Sequence, residues 1–470
     1  MCLLGGAGLN SVSDLAAPDP LRVAASPAQP ASSAGRSSFD AEAVKALKSR
    51  DNVTNWVHLA QVYAVIAITI ALAIEANEWI ADEGFGWGWT LGVNALAALV
   101  LGAAQHQFGG AIHEGTHFLL FKNRMLNELA SDWLAAFPIY TSTYQFRLHH
   151  LAHHQFVNDP ERDPDIAQLK ESGHWLDFPV PSVELLWAFL RRLSPVKLFL
   201  FTLFRAKYSA VGFDEHAYID PESQGSKWPL RVGILYAVAA PIATVETIRF
   251  GYPAIGCGLL ALATLASIAY LLLAPERAFT QTRLAPVISH RATMISRVVY
   301  FALLYGTLTA LTVSGIAPAW KYFNLYWVIP LFTSFPLFMM LRQWVQHGNA
   351  DRGRYTNTRV FLTGPLVRYA VFPWGMDYHL PHHLMASVPH YNLKRLHELM
   401  LEDPAYREKG VVLHGFFVGS EGPSALEALG PAHAPLMRER AFVDNAALEY
   451  AELRDAAGIA REAARSEKAR

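Results

Sequence analysis

The feature that most constrains this chain is a set of long apolar runs. About 20 apolar residues in a helix span the hydrocarbon core of a bilayer, and Ala254–Ala274 has that length without a charged residue. The run Leu230–Ile248 is weaker, because Arg231 and Glu246 lie near its ends. The sequence therefore predicts an all-α integral membrane protein with six spans in three hairpins: Val57–Ile74, Thr90–Ile112, Leu230–Ile248, Ala254–Ala274, Val298–Trp320 and Leu325–Leu341.

Composition limits the partners and the kinds of metal site. Charged residues make up 17% of the chain, below the roughly 25% of soluble domains. The net charge of −1 gives no indication of a nucleic-acid partner. The two cysteines, Cys2 and Cys257, are too few for a four-cysteine zinc site, an iron–sulfur cluster or a disulfide framework. A metal site in this chain must use carboxylates or the 19 histidines.

The polar ends of the chain set the predicted domain organisation. Residues 1–50 are rich in Ala, Ser, Pro and Gly and lack a basic region followed by an apolar core, so we predict a disordered segment rather than a secretory signal. Residues 51–402 are predicted to form the membrane domain. Residues 403–470 are predicted to be a polar, partly helical tail.

Three histidine-rich motifs suggest a metal centre. We call them the first box, "HEGTH" at 113–117, the second box, "HHLAHH" at 149–154, and the third box, "HLPHH" at 379–383. Residues three and four apart share a helix face, so we expect H-x-x-H-H to direct three imidazoles towards one point and H-x-x-x-H to direct two. These eight box histidines are too many for one metal ion and suggest a pair of irons: His113, His117, His150, His153, His154, His379, His382 and His383.

Three other histidines lie near the boxes. His149 makes the register of the second box ambiguous, and we choose His150 because it alone gives H-x-x-H-H. His347 follows the sixth predicted span by a few residues, which favours a ninth ligand over a residue that caps the helix end. Gln343 lies one turn before it and can hold a metal-bound water. His106 lies on the same helix face as His113, and its role is left open.

The predicted topology allows the boxes to form one site. Residues 119–140 carry charges that a lipid-facing span tolerates poorly, so the first two boxes lie on one side of the membrane. Four spans, an even number, then precede His347 and the third box. The loop 79–89 has no Lys or Arg, whereas 117–228 has eleven. By the positive-inside rule we expect the boxes and both termini on the cytoplasmic side, and the amphipathic residues 187–205 at the interface.

With these motifs the chain resembles the membrane fatty acid desaturase family, in the wide sense that includes hydroxylases and ketolases. The resemblance covers about residues 90 to 400 and rests on "HEGTH", "HLAHHQFVNDPERDPD", "QHG" and "DYHLPHHLMASVPHYNL". It implies a cytosol-facing site with two non-haem irons, O2 as the oxidant and a lipid acyl chain or similar hydrocarbon as the substrate. It also implies an external electron donor of the ferredoxin or cytochrome b5 type, and it supports His347 as a ligand.

The same motifs also fit two other functions. "HEGTH" also fits H-E-x-x-H, which makes His113 and His117 zinc ligands and Glu114 the base of an intramembrane metalloprotease. A histidine-rich metal-binding or transport protein is the non-enzymatic alternative, although transport sites lie near the bilayer midplane. Asp159, Asp163 and Asp165 follow the second box and either orient ligand histidines or form a solvated acidic loop.

Overall fold

Six helical segments long and apolar enough to cross a membrane dominate the computed structural model, which describes residues 41–211, 218, 225–279 and 282–433. In the described part of the chain the helices before the second hairpin are α1 (Ala41–Leu47), α2 (Thr54–Asp82), α3 (Trp87–Thr116), α4 (Arg124–Ser131), α5 (Thr143–Gln155), α6 (Pro164–Glu171), α7 (Ser182–Arg192) and α8 (Pro195–Ala206). The second hairpin and the helices that follow it are α9 (Trp228–Arg249), α10 (Pro253–Leu273), α11 (His290–Val313), α12 (Ala319–Phe323), α13 (Ile329–Phe332) and α14 (Ser334–His347). Shorter helices complete the described chain: α15 (Pro365–Val371), α16 (His379–Leu384), α17 (Leu393–Met400) and α18 (Pro404–Lys409).

The all-α class and the six spans predicted from the sequence are confirmed. The spans are α2, α3, α9, α10, α11 and the segment Ala319–His347, which contains α12 to α14. The prediction was wrong at one boundary: α11 ends at Val313, and Trp320 belongs to the sixth span rather than the fifth. The turn between them contains Ser314, Gly315 with a φ of 72° and Pro318, but it has no charged residue, so the uncharged run continued across it.

The sixth span is not a continuous α-helix. A π-helical turn covers Asn324–Val328, and Thr333 departs from helical geometry with φ −126° and ψ −80°. The break lets α14 begin at Ser334, so Pro336 falls in its first turn, where the missing N–H costs no helical hydrogen bond. From there α14 runs uninterrupted to His347.

Burial along α3 shows where the protein core lies. Most residues from Leu101 to Thr116 are buried, whereas most residues before Ala97 are exposed. Large apolar side chains are also exposed on α2, α9 and α10, among them Leu72, Leu262 and Leu265. The outer surfaces of these helices suit lipid, and the core lies around the last half of α3, where α5 and α14 pack against it.

The sheet is minimal in the described residues. Strand β1 (Val360–Leu362) pairs in parallel with β2 (Val412–His414), with Val360 opposite Val412. Residues beyond 403 thus contribute to the packed structure, and Leu413, Ala425 and Leu429 are fully buried. Helix α1 lies within the segment predicted to be disordered. The predictions for residues 1–40 and for the tail 434–470 lie outside the described residues, and the domain boundaries stay predictions.

The two amphipathic helices after the second box are too short to cross a bilayer. Helices α7 and α8 have 11 and 12 residues, against the roughly 20 that a span requires. Residues 119–140 likewise form only α4, one π-helical turn and one 3-10 turn. Residues 119–140 therefore add no span between the first and second boxes, and α7 and α8 add none between the second and third. Their place at the membrane interface stays a prediction.

Candidate metal centre

The first box lies at the end of α3, where a buried arginine fixes the helix terminus. His113 is on the last turn, and His117 is the residue that ends the helix. The last carbonyl groups of a helix lack partners within it, and here Arg147 of α5 donates to the carbonyls of Gly115 at 2.8 Å and Thr116 at 2.9 Å. Glu128 pairs with the same guanidinium. The helix that carries the second box is thus tied to the helix that carries the first.

The end of α14 has the same kind of support. His347 is the last residue of α14, and the fully buried Arg359 donates to the carbonyls of Val345 and Gly348 beside it. The next residue after Arg359 begins β1, and the backbone N–H of Leu380 donates to the carbonyl of Arg359 at 3.0 Å. The third box, on α16, is therefore held to the end of α14 through one arginine.

The structure brings all nine predicted ligand histidines together at this end of the spans. They form two groups whose ring nitrogens lie within 4.8 Å of one another inside each group. Cluster A contains five histidines: His113, His117, His150, His154 and His382. Cluster B contains four: His153, His347, His379 and His383. His149 and His106 belong to neither cluster.

The boxes are divided between the clusters, which corrects the expectation that each H-x-x-H-H directs three imidazoles to one point. In the second box His150 and His154 lie in cluster A and His153 in cluster B. In the third box the pair four residues apart, His379 and His383, lies in cluster B and His382 in cluster A. The side chains of residues i and i+4 project in nearly the same direction from a helix. The side chain of residue i+3 projects to the other side of that direction. Each box of this type therefore bridges both clusters.

The donor atoms have the spacing that a metal ion requires. In cluster A the Nε2–Nε2 distances are 3.0 Å for His113–His382, 3.0 Å for His117–His150, 2.9 Å for His150–His154 and 3.1 Å for His154–His382. In cluster B they are 3.0 Å for His347–His379 and 3.1 Å for His379–His383. Two nitrogens at about 2.1 Å from one ion and about 90° apart lie about 3.0 Å from each other, whereas a tetrahedral angle separates them by about 3.4 Å. Donor atoms with this spacing can ligate a single ion in each cluster.

Burial favours the neutral imidazoles that ligate metals. Burial, and then the neighbouring histidines, hold the pKa of His150, His154 and His383 well below the usual range. His153 differs. Burial alone lowers its pKa, but the charges of Asp163 and Asp165 outweigh burial and raise the pKa to about 9. The two carboxylates thus oppose the neutral form of His153, which is the form that ligates a metal.

Two histidines of cluster B are oriented through their second ring nitrogen. The Nδ1 atom of His153 lies 3.0 Å from the Asp163 carboxylate, and the Nδ1 atom of His347 lies 3.2 Å from the carbonyl of Asn357. Such partners fix the ring and the tautomer of a ligand histidine. Asp163 thus takes the orienting position that the sequence left open, whereas Asp159 pairs with Arg162 and Arg352.

The additional histidines have other partners. The Nε2 atom of His149 lies 2.7 Å from Asp165 and 3.1 Å from the guanidinium of Arg205. The Nδ1 atom of His106 lies 2.8 Å from the carbonyl of Ala370. The geometry thus supports the choice of His150 over His149, and it leaves His106 outside both groups.

Glu114 is on the wrong side of His113 for the base of a protease. Its carboxylate accepts from the backbone N–H of His390 at 3.0 Å and lies 3.7 Å from the Nδ1 atom of His113. The Nε2 atom of His113 is the one that faces cluster A. Glu114 therefore contacts the outer edge of the ring, and this arrangement disfavours the H-E-x-x-H interpretation.

An apolar cavity adjoins the clusters. It has a volume of about 540 Å³ and extends from Ile112 and Phe146, near the histidines, to Trp320 and Phe323 at the beginning of the sixth span. A smaller cavity of about 40 Å³ is lined by histidines of both clusters: His113, His150, His153, His347 and His379. Phe146, Arg205 and Arg342 line both cavities, so an apolar chain in the large one lies next to the metal centre.

Several residues that shape the site were not found from the sequence. Arg147 and Arg359 support helix ends, and Arg205 and Arg342 line the boundary between the cavities. A signal existed for Arg342, because the last predicted span stops at Leu341, one residue before this charge. The roles of Arg147, Arg205 and Arg359 depend on contacts between residues far apart in the chain, which no local sequence pattern shows.

Comparisons with known proteins agree with the geometry. The family model described as "Fatty acid desaturase" matches residues 87–272 and 249–416. The dihydrorhizobitoxine desaturase of Bradyrhizobium elkanii is 20% identical over 388 residues, which are 81% of this chain and 85% of that protein. Two further relatives match over short stretches. The Delta(5) fatty acid desaturase fat-4 of Caenorhabditis elegans is 39% identical over 15% of this chain and 16% of its own length. Fatty acid desaturase 3 of Bos taurus is 30% identical over 20% of this chain and 21% of its own length.

Proposed function

The chain belongs to the fatty acid desaturase family, and we propose that it uses two non-haem irons and O2 to desaturate, or hydroxylate, a lipid acyl chain. The observation that carries this proposal is the pair of histidine clusters beside a large apolar cavity. The nine ligands we propose are His113, His117, His150, His154 and His382 for one iron, and His153, His347, His379 and His383 for the other.

The chemistry divides between the metals and the protein. When bound, the irons supply an oxidant generated from O2 that removes hydrogen from an unactivated carbon. The protein holds the reacting carbon beside the clusters and keeps water away from it. The apolar lining of the large cavity serves both purposes, and Phe146, stacked on His150 with ring centroids 5.6 Å apart, forms part of the wall between chain and metals.

The ligand set also determines the charge of the site. Nine neutral imidazoles carry no charge to offset that of the two metal ions. Asp163 is the carboxylate in hydrogen-bond contact with a cluster histidine, His153. Asp163 and the Asn357 carbonyl would keep two rings of cluster B in place as ligands.

Electrons come, in this proposal, from a separate ferredoxin or cytochrome b5 type of donor. The sequence contains no cysteine cluster, no H-P-G-G haem signature and no G-x-G-x-x-G fingerprint. By the positive-inside rule the clusters and both termini face the cytoplasm. The exposed basic residues of 117–228, among them Lys122, Lys170, Arg191 and Lys197, offer a docking surface for an acidic donor.

The alternative functions are less well supported. A zinc protease needs Glu114 near the donor side of His113 and leaves most of the other cluster histidines without a role. A transporter site is expected near the bilayer midplane, whereas His113 and His347 lie at the ends of their spans.

Lipid profiling by mass spectrometry tests the proposed function. Host cells that express the chain are compared with cells that express the His379→Ala variant, which lacks one ligand of cluster B. Desaturation appears as an acyl product that has lost two hydrogens, and hydroxylation as a product that has gained one oxygen. A host lipid profile that does not differ between wild type and variant, with proteolysis or metal flux detected instead, would contradict the proposal.

A further inference from the structure

Arg342 is a buried cation without an ion-pair partner in the described part of the chain. It lies on α14, five residues before His347, and its side chain is 8% exposed. Its Nε atom is buried without a hydrogen-bond acceptor, and no carboxylate of the described residues forms an ion pair with its guanidinium. A charged side chain inside a membrane span is costly and is usually found where a ligand or an ion binds.

The nearby acidic groups are already engaged by other residues. Asp165 pairs with Arg205 at 2.5 Å and lies 2.7 Å from the Nε2 atom of His149. Asp163 contacts His153. Arg205 and Arg342 line the boundary between the two cavities together, but of these two arginines only Arg205 forms an ion pair with Asp165. One positive charge at this boundary therefore remains without a contacting counter-charge from the described residues.

The surroundings of Arg342 restrict what can supply that counter-charge. Most of the residues that line the large cavity together with Arg342 are apolar, among them Ile112, Phe335 and Met339. The guanidinium is buried, and a carboxylate is compact and matches its planar donors. An apolar chain end beside an unpaired guanidinium would leave the charge unsatisfied.

We propose that Arg342 binds the free carboxylate of the substrate, so that the carboxyl end of the acyl chain lies at the metal centre. This inference rests on the proposed function and deepens it. The rest of the chain extends from the metal end of the cavity towards Trp320 and Phe323. The substrate is then an unesterified long-chain acid, and the oxidised carbon lies within a few bonds of the carboxyl group.

Equilibrium binding to the purified holoenzyme in nanodiscs tests this proposal, with a radiolabelled saturated fatty acid and its methyl ester as probes. A hydrogen-bonded charge pair contributes about 1.5–3 kcal/mol, so wild type should bind the acid about 10- to 100-fold more tightly than the ester. Arg342→Met should remove this preference by weakening binding of the acid and leaving binding of the ester unchanged. Arg342→Lys, which keeps the charge but not the planar donors, should retain part of it.

The matched control is Arg297→Met, which removes an arginine from α11, a span outside the lining of the cavity. It should keep the wild-type preference for the acid. Equal binding of acid and ester by wild type would overturn the proposal even if Arg342→Met could not be purified. Loss of the preference for the acid in Arg297→Met would also overturn the proposal. So would an equal loss of affinity for the acid and the ester in Arg342→Met.

Turnover separates this proposal from the proposed function. If the ester is desaturated as well as the acid and binding does not depend on Arg342, the oxidase function stands and the carboxylate site fails. If the acid binds through Arg342 but neither probe is oxidised in the presence of O2 and reduced donor, the carboxylate site stands and the oxidase function fails. A product double bond near the methyl end would contradict the proposed orientation.

Discussion

The two histidine clusters differ in the number of donors and in how the donors are held. Cluster A has five histidines and draws on all three boxes, whereas cluster B has four, drawn from two boxes and His347. In cluster B, the rings of His153 and His347 have outer partners in Asp163 and the Asn357 carbonyl, and the Nδ1 atom of His379 has none among the described residues. In cluster A the Nδ1 atoms of His113 and His382 are likewise buried without a hydrogen-bond partner in that part of the chain.

This difference suggests distinct roles for the metals of the two clusters, although the second and third boxes contribute histidines to both. The histidines of cluster A come from α3 with the residue that ends it, from α5 and from α16, and its five nitrogens leave less room for other ligands. Cluster B has one nitrogen fewer, and three of its four histidines line the small cavity beside Arg342 and Gln343. We therefore expect exogenous ligands to bind at cluster B, and we expect its metal to depend more strongly on each histidine.

Removal of one ligand from each cluster gives the largest expected effects. We predict that His347→Ala abolishes turnover and lowers bound iron towards one ion per chain, because three histidines remain in cluster B. His117→Ala should also be inactive but should retain more iron, because four histidines remain in cluster A. Iron content and product formation of purified, membrane-inserted protein measure both effects.

The control for this pair is His290→Ala at the beginning of α11, a histidine in neither cluster. Its activity should stay near that of wild type. Full activity of His347→Ala would remove that residue from the ligand set, and equal iron loss in the two ligand variants would remove the proposed difference between the clusters.

A smaller effect is expected from the outer partner of cluster B. Asp163→Asn keeps an acceptor for the backbone N–H of Asp165 but replaces the charged partner of His153. Loss of such a partner typically lowers metal affinity or activity about 10- to 100-fold. Chelator titration of the iron-loaded protein measures the change, and Asp159→Asn, which contacts arginines instead, is the matched control. Equal chelator sensitivity of the two variants would show that Asp163 does not support the metal.

A still smaller effect is expected beside cluster A. In Glu114→Gln the amide oxygen can still accept from the backbone N–H of His390. A neutral hydrogen bond of this kind contributes about 1 kcal/mol, so activity should fall by less than about tenfold and both irons should remain. Iron content and turnover of the variant test this. Complete loss of activity with the metal retained would instead indicate a catalytic base.

The sequence was sufficient to predict the spans, because their length and apolarity determine them. It was also sufficient to predict that the boxes lie together, because an even number of spans separates them. The sequence did not predict that each H-x-x-H-H box contributes histidines to both clusters. The spacing of His150, His153 and His154 determines which of them share a helix face, but contacts with the ends of α3 and α14 decide which cluster each face meets. The roles of Arg147 and Arg359 depend in the same way on contacts that no local pattern records.

Gly348 shows a similar limit. Its sequence position after His347 suggests a glycine that reverses the backbone, yet its φ is −60°, and the positive φ of 56° falls on Asn349. The reason for glycine is space, because an added Cβ would lie 2.4 Å from the carbonyl oxygen of Trp344 and 2.5 Å from the Phe178 ring. This close approach is visible only in the folded chain.

The smallest expected effect on the metal centre comes from this position. Gly348→Ala should lower the free energy of unfolding by about 1–3 kcal/mol through overpacking, with iron per folded chain unchanged. Gly258→Ala on α10, where an added Cβ meets nothing within 4 Å, is the control and should not destabilise the protein. Thermal unfolding in detergent compares them, and equal melting temperatures would show that the contact with Phe178 is not tight.

The metal content of the wild-type protein tests the central claim most directly. The protein is purified anaerobically and analysed by elemental mass spectrometry and Mössbauer spectroscopy. Two clusters of five and four histidines predict about two irons per chain, no zinc requirement and two iron signals of equal intensity from different ligand sets. One tightly bound zinc per chain, or a single iron signal that accounts for all bound metal at one ion per chain, would contradict the account.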